Sequence, residues 1–184
     1  MRRRAILLLA ATAVALLVAS SAALAVSRVG TSGNDTLRGT NGTDAMDGRG
    51  GNDVLLGYKG TDALSGGTGR DAVLGGNEIG PQAGDRALNG GPGGDFVGGG
   101  QGSDGLEGGS GRDYMFAGPP YEDDDQDAVS GGDGDDAVFA LNWTPATDAI
   151  DCGRGFDRVL IDEKMLSHAT ARGSSSPFGR SSPP

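Results

Sequence analysis

The chain has 184 residues, of which 36 are glycine and only 5% are aromatic, and its formal net charge is -10 at pH 7. So few large apolar side chains argue against a conventional packed core, and the negative charge argues against nucleic acid as a partner, because phosphates would be repelled. The same composition would suit a disordered chain. The order of the residues therefore has to decide between disorder and a repeat structure.

The first 25 residues have the three parts of a secretory signal peptide. Arg2, Arg3 and Arg4 form a basic start, an apolar stretch runs from Ala5 to Val18, and Ala23-Leu24-Ala25 offers small residues for cleavage. We therefore expect residues 1–25 to be removed on export, which would leave a secreted, extracellular protein with no membrane contact. The alternative is that the apolar stretch is retained as a membrane anchor.

From Gly30 to Phe139 the chain repeats a nine-residue pattern, G-G-x-G-x-D-x-U-x, in which U is a large apolar residue. Clear units are G-G-T-G-R-D-A-V-L at 66–74 and G-G-S-G-R-D-Y-M-F at 108–116. A fixed period is the signature of a stacked repeat protein, whereas a disordered glycine-rich segment has no reason to keep phase over eleven units. The pattern therefore predicts an ordered repeat structure.

Each unit supplies one acidic side chain at its sixth position and one apolar side chain at its eighth. The acidic positions are Asp35, Asp44, Asp53, Asp62, Asp71, Arg86, Asp95, Asp104, Asp113, Asp127 and Asp136. The sixth unit is the exception, because alignment on its apolar residue puts Arg86 in the acidic position and Asp85 one place early. The apolar positions are Leu37, Met46, Leu55, Leu64, Val73, Leu88, Val97, Leu106, Met115, Val129 and Val138.

The spacing of the glycines predicts the local structure of a unit. Glycine at the first, second and fourth positions permits positive φ angles, so the first six residues should form a tight turn. The last three should form a short strand whose middle side chain points inward. Two units would complete one coil, and coils would stack about 4.8 Å apart. A single unit buries almost nothing, so stability must come from stacking.

Stacking also brings the carboxylates together, which has a chemical consequence. Aspartates about 4.8 Å apart repel one another strongly unless a cation lies between them. Calcium takes six to eight oxygen ligands from carboxylates and main-chain carbonyls, whereas magnesium demands stricter octahedral geometry. Zinc is disfavoured, because His168 and Cys152 are the only histidine and cysteine. The repeat therefore predicts calcium as the bound ion.

These repeats resemble the RTX, or hemolysin-type calcium-binding, family. The resemblance implies a right-handed parallel β-roll, a β-solenoid of nine-residue repeats, in which calcium lies between turns on the same edge, two units apart. It implies metal ligation by the pairs Asp35/Asp53, Asp53/Asp71, Asp71/Asp95, Asp95/Asp113 and Asp113/Asp136 on the odd edge. On the even edge it implies ligation by Asp44/Asp62 and Asp104/Asp127, with Arg86 interrupting the row between these two pairs. Weaker binding is expected in the early units, whose second positions are Thr31, Thr40, Arg49 and Tyr58.

The repeat is interrupted by two insertions, and its odd and even units differ in their outward-facing residues. Both insertions fall in even units, the sixth around 77–83 and the tenth around 119–125, so they should emerge on one edge. The acidic run Glu122–Asp125 would supply extra calcium ligands or form a solvated loop. Outward positions of odd units are apolar: Val54, Leu56, Leu74, Phe96, Tyr114, Phe116 and Phe139. Outward positions of even units are polar: Asp47, Ser65, Asn89, Glu107 and Ser130.

The pattern degenerates after Phe139. Residues 140–163 are expected to form a C-terminal cap with two strands around a glycine-containing turn, and 164–184, rich in Ser, Pro and Gly, a disordered tail. Cys152 is expected to be a partly buried small residue, the alternative being a disulfide to another chain. We expect the apolar odd face to be covered by the segment Leu141–Ile161 or by another chain, because exposed apolar patches usually mark contacts.

The predicted function is that of a secreted calcium-binding protein whose β-roll, residues 26–139, folds on export, because metal binding and folding are coupled. No catalysis is expected, since the chain contains neither an H-E-x-x-H motif nor a recognisable nucleophile and base. Many members of the RTX family carry a toxin or enzyme domain, which is not expected here. The alternative function is an extracellular adhesive or structural protein that binds a partner, or itself, through the apolar face.

Overall fold

A computed structural model describes residues 25–77, 84–85, 87–118, 126–140 and 148–161. These residues form fourteen β-strands and no helix, and therefore no helix among them could cross a membrane. The predicted signal peptide, most of both insertions and the predicted disordered tail lie outside the described residues.

The strands alternate along the chain between two parallel sheets of seven strands each. The polar sheet contains β1 Ser27–Val29, β3 Ala45–Asp47, β5 Ala63–Ser65, β7 Ala87–Gly93, β9 Gly105–Gly111, β11 Ala128–Asp133 and β13 Ala149–Asp151. The apolar sheet contains β2 Thr36–Arg38, β4 Val54–Tyr58, β6 Ala72–Asn77, β8 Phe96–Gln101, β10 Tyr114–Phe116, β12 Ala137–Ala140 and β14 Arg158–Ile161. Consecutive units thus complete one coil, and the predicted parallel β-roll is confirmed.

The interior of the roll is a double row of apolar side chains, one from each strand from β2 to β13. Equivalent positions pair across neighbouring coils, as in Leu55 with Val73 and Val97 with Met115. From Met46 to Val138 every predicted apolar position is buried, which confirms the assignment of the inward side chains. Leu37 and Ile150 are only partly buried, because they lie in the terminal coils and each has a neighbouring coil on one side only.

Strand length changes along the roll. β1, β2, β3 and β5 have 3 residues each, whereas β7 and β9 have 7. In the later coils the pairing continues into the Gly-Gly turn, where Gly91 pairs with Gly109. Both of these glycines have positive φ, 103° and 113°. The turns of the later coils therefore belong to the sheet, which the prediction of three-residue strands did not include.

The two insertions and the C-terminal segment are the parts of the chain that depart from the regular repeat. Both insertions connect a strand of the apolar sheet to a strand of the polar sheet, so they leave the roll at the same edge, as predicted. β13 and β14 are the two strands expected beyond Phe139, but they extend the two sheets by pairing with β11 and β12. Of the predicted cover Leu141–Ile161, the described part, 148–161, therefore does not lie over the apolar face, and that part of the prediction is wrong. Residues 141–147 lie outside the described residues, and covering of the face by another chain stays a prediction.

Candidate metal centre

Each turn places its aspartate at the start of a strand, with the carboxyl group directed into the roll. On the edge formed by the odd units these are Asp35, Asp53, Asp71, Asp95, Asp113 and Asp136. All but Asp35 are at most 3% exposed, because the next coil covers them. The predicted acidic residues of the even units are buried in the same way: Asp44, Asp62, Asp104 and Asp127.

The two oxygens of each carboxyl group have different surroundings, and Oδ1 is the one that joins the coils. The backbone N–H of Asp53 donates to Oδ1 of Asp71 at 2.8 Å, and the N–H of Asp71 donates to Oδ1 of Asp95 at 2.8 Å. The same bond links Asp95 to Asp113 at 2.8 Å. The predicted odd-edge partners are therefore neighbours in space, and the aspartates form a continuous hydrogen-bonded ladder.

The even edge has the same ladder, and it corrects the alignment of the sixth unit. Asp85, not Arg86, stands in the acidic row: it is 1% exposed, its Oδ1 accepts from the N–H of Asp62 at 2.7 Å, and its own N–H donates to Asp104 at 2.6 Å. Asp44 and Asp62 are linked in the same way at 2.8 Å. The expected interruption at Arg86 is therefore wrong, because the turn contains one extra residue between Asp85 and β7.

Both ladders also continue beyond the last predicted site residue. The N–H of Asp127 donates to Oδ1 of Asp148, and the N–H of Asp136 donates to Oδ1 of Asp157, both at 3.0 Å. A sequence signal for Asp157 exists, because Cys152–Asp157 reads C-G-R-G-F-D and retains the second glycine, the fourth glycine and the acidic residue of the motif. Asp148 has no such motif before it and is found only through the ladder.

The second oxygen, Oδ2, is buried without a hydrogen-bond partner in seven of these carboxyl groups: Asp53, Asp62, Asp71, Asp85, Asp95, Asp113 and Asp136. In each turn Oδ2 faces the first glycine of its own unit, next to a main-chain carbonyl from the following coil. A Cβ atom added to Gly66 would lie 2.6 Å from Oδ2 of Asp71 and 2.6 Å from the carbonyl oxygen of Gly90. Glycine at the first position therefore keeps open a space on which two acceptor oxygens converge.

Two converging acceptors need a proton or a cation between them. Burial raises the pKa of Asp62, Asp95 and Asp136 to about 6 and that of Asp85 to about 7, although a backbone N–H donated to each opposes the shift. Among the described residues the only ion pair is the exposed Arg154–Asp133 at 3.8 Å. A buried charge without a partner is costly. A bound cation would offset the cost of ionising the seven buried carboxyl groups.

The donor set fits calcium. No three carboxylate, imidazole or thiol side chains come together among the described residues, so an ion here would take most of its ligands from main-chain carbonyls. Oxygen-only coordination with many carbonyls is the preference of calcium and not that of zinc. Cys152 contributes its carbonyl oxygen beside Gly131, while its half-buried thiol is not joined in a disulfide, and burial raises the pKa of that thiol.

The first two turns differ from the others. Their second positions are threonines, and Oδ2 of Asp35 and of Asp44 accepts the N–H of Thr31 and of Thr40, respectively, at 2.6 Å. In the third and fourth turns the second positions are Arg49 and Tyr58, which adopt positive φ angles of 71° and 80°. The early units, which were expected to bind calcium more weakly as one group, therefore have two different kinds of turn.

The family model of the RTX calcium-binding nonapeptide repeat matches residues 29–55, 56–78 and 88–119, with four copies of the repeat. The chain has no match among the curated proteins or the solved structures. The family bears out the calcium binding expected from the repeat, and the matched segments contain five of the seven aspartates with an unpartnered Oδ2: Asp53, Asp62, Asp71, Asp95 and Asp113.

Proposed function

The repeat region of this chain belongs to the RTX calcium-binding nonapeptide repeat family, and on that premise we propose that it is a secreted, non-catalytic protein whose coils become stable when calcium binds between them. The sites are formed by Oδ2 of the buried aspartates together with main-chain carbonyls of the next coil. The observation that carries the proposal is the row of seven buried Oδ2 atoms with no hydrogen-bond partner.

The proposed site residues are members of the ladders. They are Asp53, Asp62, Asp71, Asp95, Asp104, Asp113, Asp127 and Asp136, as the repeat predicts, with Asp85 added. Asp35 and Asp44, which the repeat also predicts, are left out because Oδ2 of each accepts a threonine N–H. Calcium would supply positive charge to neighbouring carboxylates and coordinate the carbonyl oxygens around them. The chain's own contribution is to hold those oxygens in line by the N–H to Oδ1 hydrogen bonds and to keep the space beside each first glycine free.

Folding should then depend on calcium, because ionised carboxylates would repel one another in the empty roll and a ligand that binds only the folded state stabilises it. Extracellular calcium would supply the ion after export, and the signal-peptide pattern of residues 1–25 supports that route. The roles given to the carboxyl groups support a non-catalytic protein: they form structural ladders and are not presented to a substrate at the surface.

The first test is circular dichroism of residues 26–184 during a calcium titration, with magnesium as the control. A cooperative gain of β-structure that is selective for calcium would support the proposal. The double variant Asp71→Asn and Asp95→Asn should raise the calcium concentration at the midpoint at least tenfold, whereas Asp133→Asn, which changes an exposed acid of a later turn, should leave it unchanged. A roll that forms fully in chelator at neutral pH, or equal midpoints for the two variants, would contradict it.

A second candidate function, an extracellular adhesive or structural role, is favoured by one observation. On the apolar sheet the ring of Phe116 stacks on Phe139 with centroids 5.0 Å apart and lies 6.4 Å from Phe96, and Phe96 and Tyr114 are 42% and 46% exposed. Such a row is the kind of surface that a partner or a second copy would bind. This role is compatible with calcium binding.

A further inference from the structure

We propose that Thr31 and Thr40 close the first two turns to calcium, so that metal binding begins at the turn that ends in Asp53. The first coil would then be a calcium-independent cap on which the calcium-dependent coils stack. This inference rests on the proposed function, since it concerns which turns of the repeat hold the ion.

The hydrogen bonds of the first two turns show how the threonines act. Oδ2 of Asp35 accepts the N–H of Thr31 at 2.6 Å and its hydroxyl at 2.9 Å. Oδ2 of Asp44 accepts the N–H of Thr40 at 2.6 Å and its hydroxyl at 3.3 Å. Oδ1 of Asp44 is also occupied, by the N–H of Val26 at 2.7 Å. Both oxygens of this buried carboxylate are therefore satisfied by protons of the chain itself.

In the third and later turns the second-position N–H points elsewhere. The N–H of Arg49 donates to Oδ1 of Asp47 at 2.9 Å, and that of Gly67 donates to the carbonyl of Gly90 at 3.1 Å. Oδ2 of Asp53 and of Asp71 is left without a partner. The difference follows the backbone, because Arg49 and Tyr58 share positive φ with the glycines at this position, whereas no other described non-glycine residue does.

The two kinds of turn are chemically exclusive. An N–H donated to Oδ2 occupies the lone pairs that would face a cation, and the proton itself would repel one. For calcium to enter, both hydrogen bonds of the threonine would have to break and the second residue would have to take up positive φ, which costs about 1–2 kcal/mol for a residue with a Cβ atom. The remaining parts of the site are present, because a Cβ on Gly30 would lie 2.8 Å from Oδ2 of Asp35 and 2.6 Å from the carbonyl oxygen of Gly48.

The experiment is a count of bound calcium ions per chain, by native mass spectrometry and by equilibrium dialysis at saturating calcium, on residues 26–184. Thr40→Gly should open the second turn and add one ion, whereas Tyr58→Thr should close the fourth turn and remove one. Thr40→Ser, which keeps the hydroxyl, and Thr43→Gly, an exposed threonine of the same turn, should leave the count unchanged. Tyr58→Thr also relieves a positive φ, so it should fold even if Thr40→Gly does not.

The outcomes separate this inference from the proposed function. A gain with Thr40→Gly and a loss with Tyr58→Thr would establish the closed turns. Wild-type binding of calcium with an unchanged count in Tyr58→Thr would overturn the inference and leave the proposed function standing. A wild-type chain that binds no calcium would overturn both.

Discussion

The first two turns, residues 30–44, and the Gly-Gly turns from residue 66 onward each place an aspartate next to a carbonyl of the neighbouring coil. The two kinds of turn differ in the hydrogen bonding of the second carboxyl oxygen, Oδ2. In the first two turns a threonine donates two protons to it. In the later turns the glycine pair rotates the N–H away, and the buried oxygen has no partner, as in Asp71 and Asp113. One repeat position thus decides whether a turn is complete by itself or needs a cation.

The backbone shows a parallel difference. In the first turn, a Cβ on Gly33 would have Thr31 as its nearest neighbour, with the hydroxyl oxygen 3.8 Å away. In the ninth unit the equivalent glycine, Gly111, has a φ of 127° and its Cβ would overlap the carbonyl oxygen of Gly93. The two glycines differ in their place in the stack: a Cβ on Gly51 would already lie 2.5 Å from the carbonyl carbon of Gly33, whereas Gly33 belongs to the first coil and has no described coil before it. The close approach at Gly111 therefore reflects its place inside the stack.

The largest effect is expected from one substitution made in both regions. Gly111→Ala should lower the free energy of unfolding by about 3 kcal/mol, because the new Cβ must tolerate positive φ and displace a carbonyl. Gly33→Ala should change it by less than about 0.5 kcal/mol, as is usual for an exposed site without special geometry. Urea unfolding in excess calcium measures both, and equal effects at the two glycines would contradict the difference in packing.

A second effect concerns pH in chelator, where no calcium compensates the later carboxyl groups. Burial raises the pKa of Asp85 from its ordinary value of 3.8 to about 7 and those of Asp62 and Asp95 to about 6. The folded state then binds more protons than the unfolded chain between about pH 4 and 7, so stability is greatest below this window and falls as the pH rises through it. Calcium should reverse the trend, because it favours the ionised form.

Thermal melts at pH 4.5 and 7.5, in chelator and in calcium, measure this effect. In chelator the melting temperature should be lower at pH 7.5, and Asp85→Asn should reduce the difference, because the amide keeps an acceptor for the N–H of Asp62 and cannot ionise. The same variant should need more calcium for saturation. A melting temperature in chelator that rises with pH would show that the buried carboxyl groups are not the groups that titrate.

The sequence predicted those features of the roll that follow from the nine-residue period. Stacking requires equivalent residues to align, so the inward row from Met46 to Val138 and the aspartates of the regular units followed from counting. Asp85 did not follow, because counting back from Leu88 fails where a turn contains an extra residue; the N–H to Oδ1 bond, and not the spacing, selects the acid. The number of residues in a turn is free as long as its two ends meet the neighbouring coil.

The role of Thr31 and Thr40 also could not be predicted from the nine-residue repeat. Apart from the hydroxyl that it donates to the aspartate, a threonine at the second position differs from arginine or tyrosine there in the φ angle that it adopts and the direction of its N–H. Those two features emerge from the competition between the carboxyl oxygen and the neighbouring coil for the same proton. The sequence grouped Thr31, Thr40, Arg49 and Tyr58 as departures from glycine, and only the hydrogen bonds divide them into two pairs.

A third prediction compares the outer faces of early and late coils. Phe116→Ser should lower the free energy of unfolding by about 2 kcal/mol, because it removes ring contacts on both sides as well as half-buried apolar area. Leu56→Ser, at the equivalent position of an early coil, should cost about half as much, since no ring stacks on it. Light scattering of Phe116→Ser and Phe139→Ser would add whether the row joins two copies. Unchanged melting together with an unchanged mass in solution would show that the aromatic row supports neither the fold nor an assembly.

The smallest effect is expected at the second position of the repeat. Substitution by glycine there should change the free energy of unfolding in opposite directions in the first and third turns. Arg49 is exposed and is strained by its φ of 71°, so Arg49→Gly should raise the free energy of unfolding by about 1 kcal/mol. The N–H at position 49 should continue to donate to Asp47. Thr31→Gly should lower that free energy in chelator by about 1 kcal/mol, because the hydroxyl bond to Asp35 is lost and the chain gains freedom in the unfolded state. Urea midpoints in chelator compare the two variants directly. Stabilisation by both would mean that glycine is preferred at every turn and that the threonine bonds contribute nothing to the first coil.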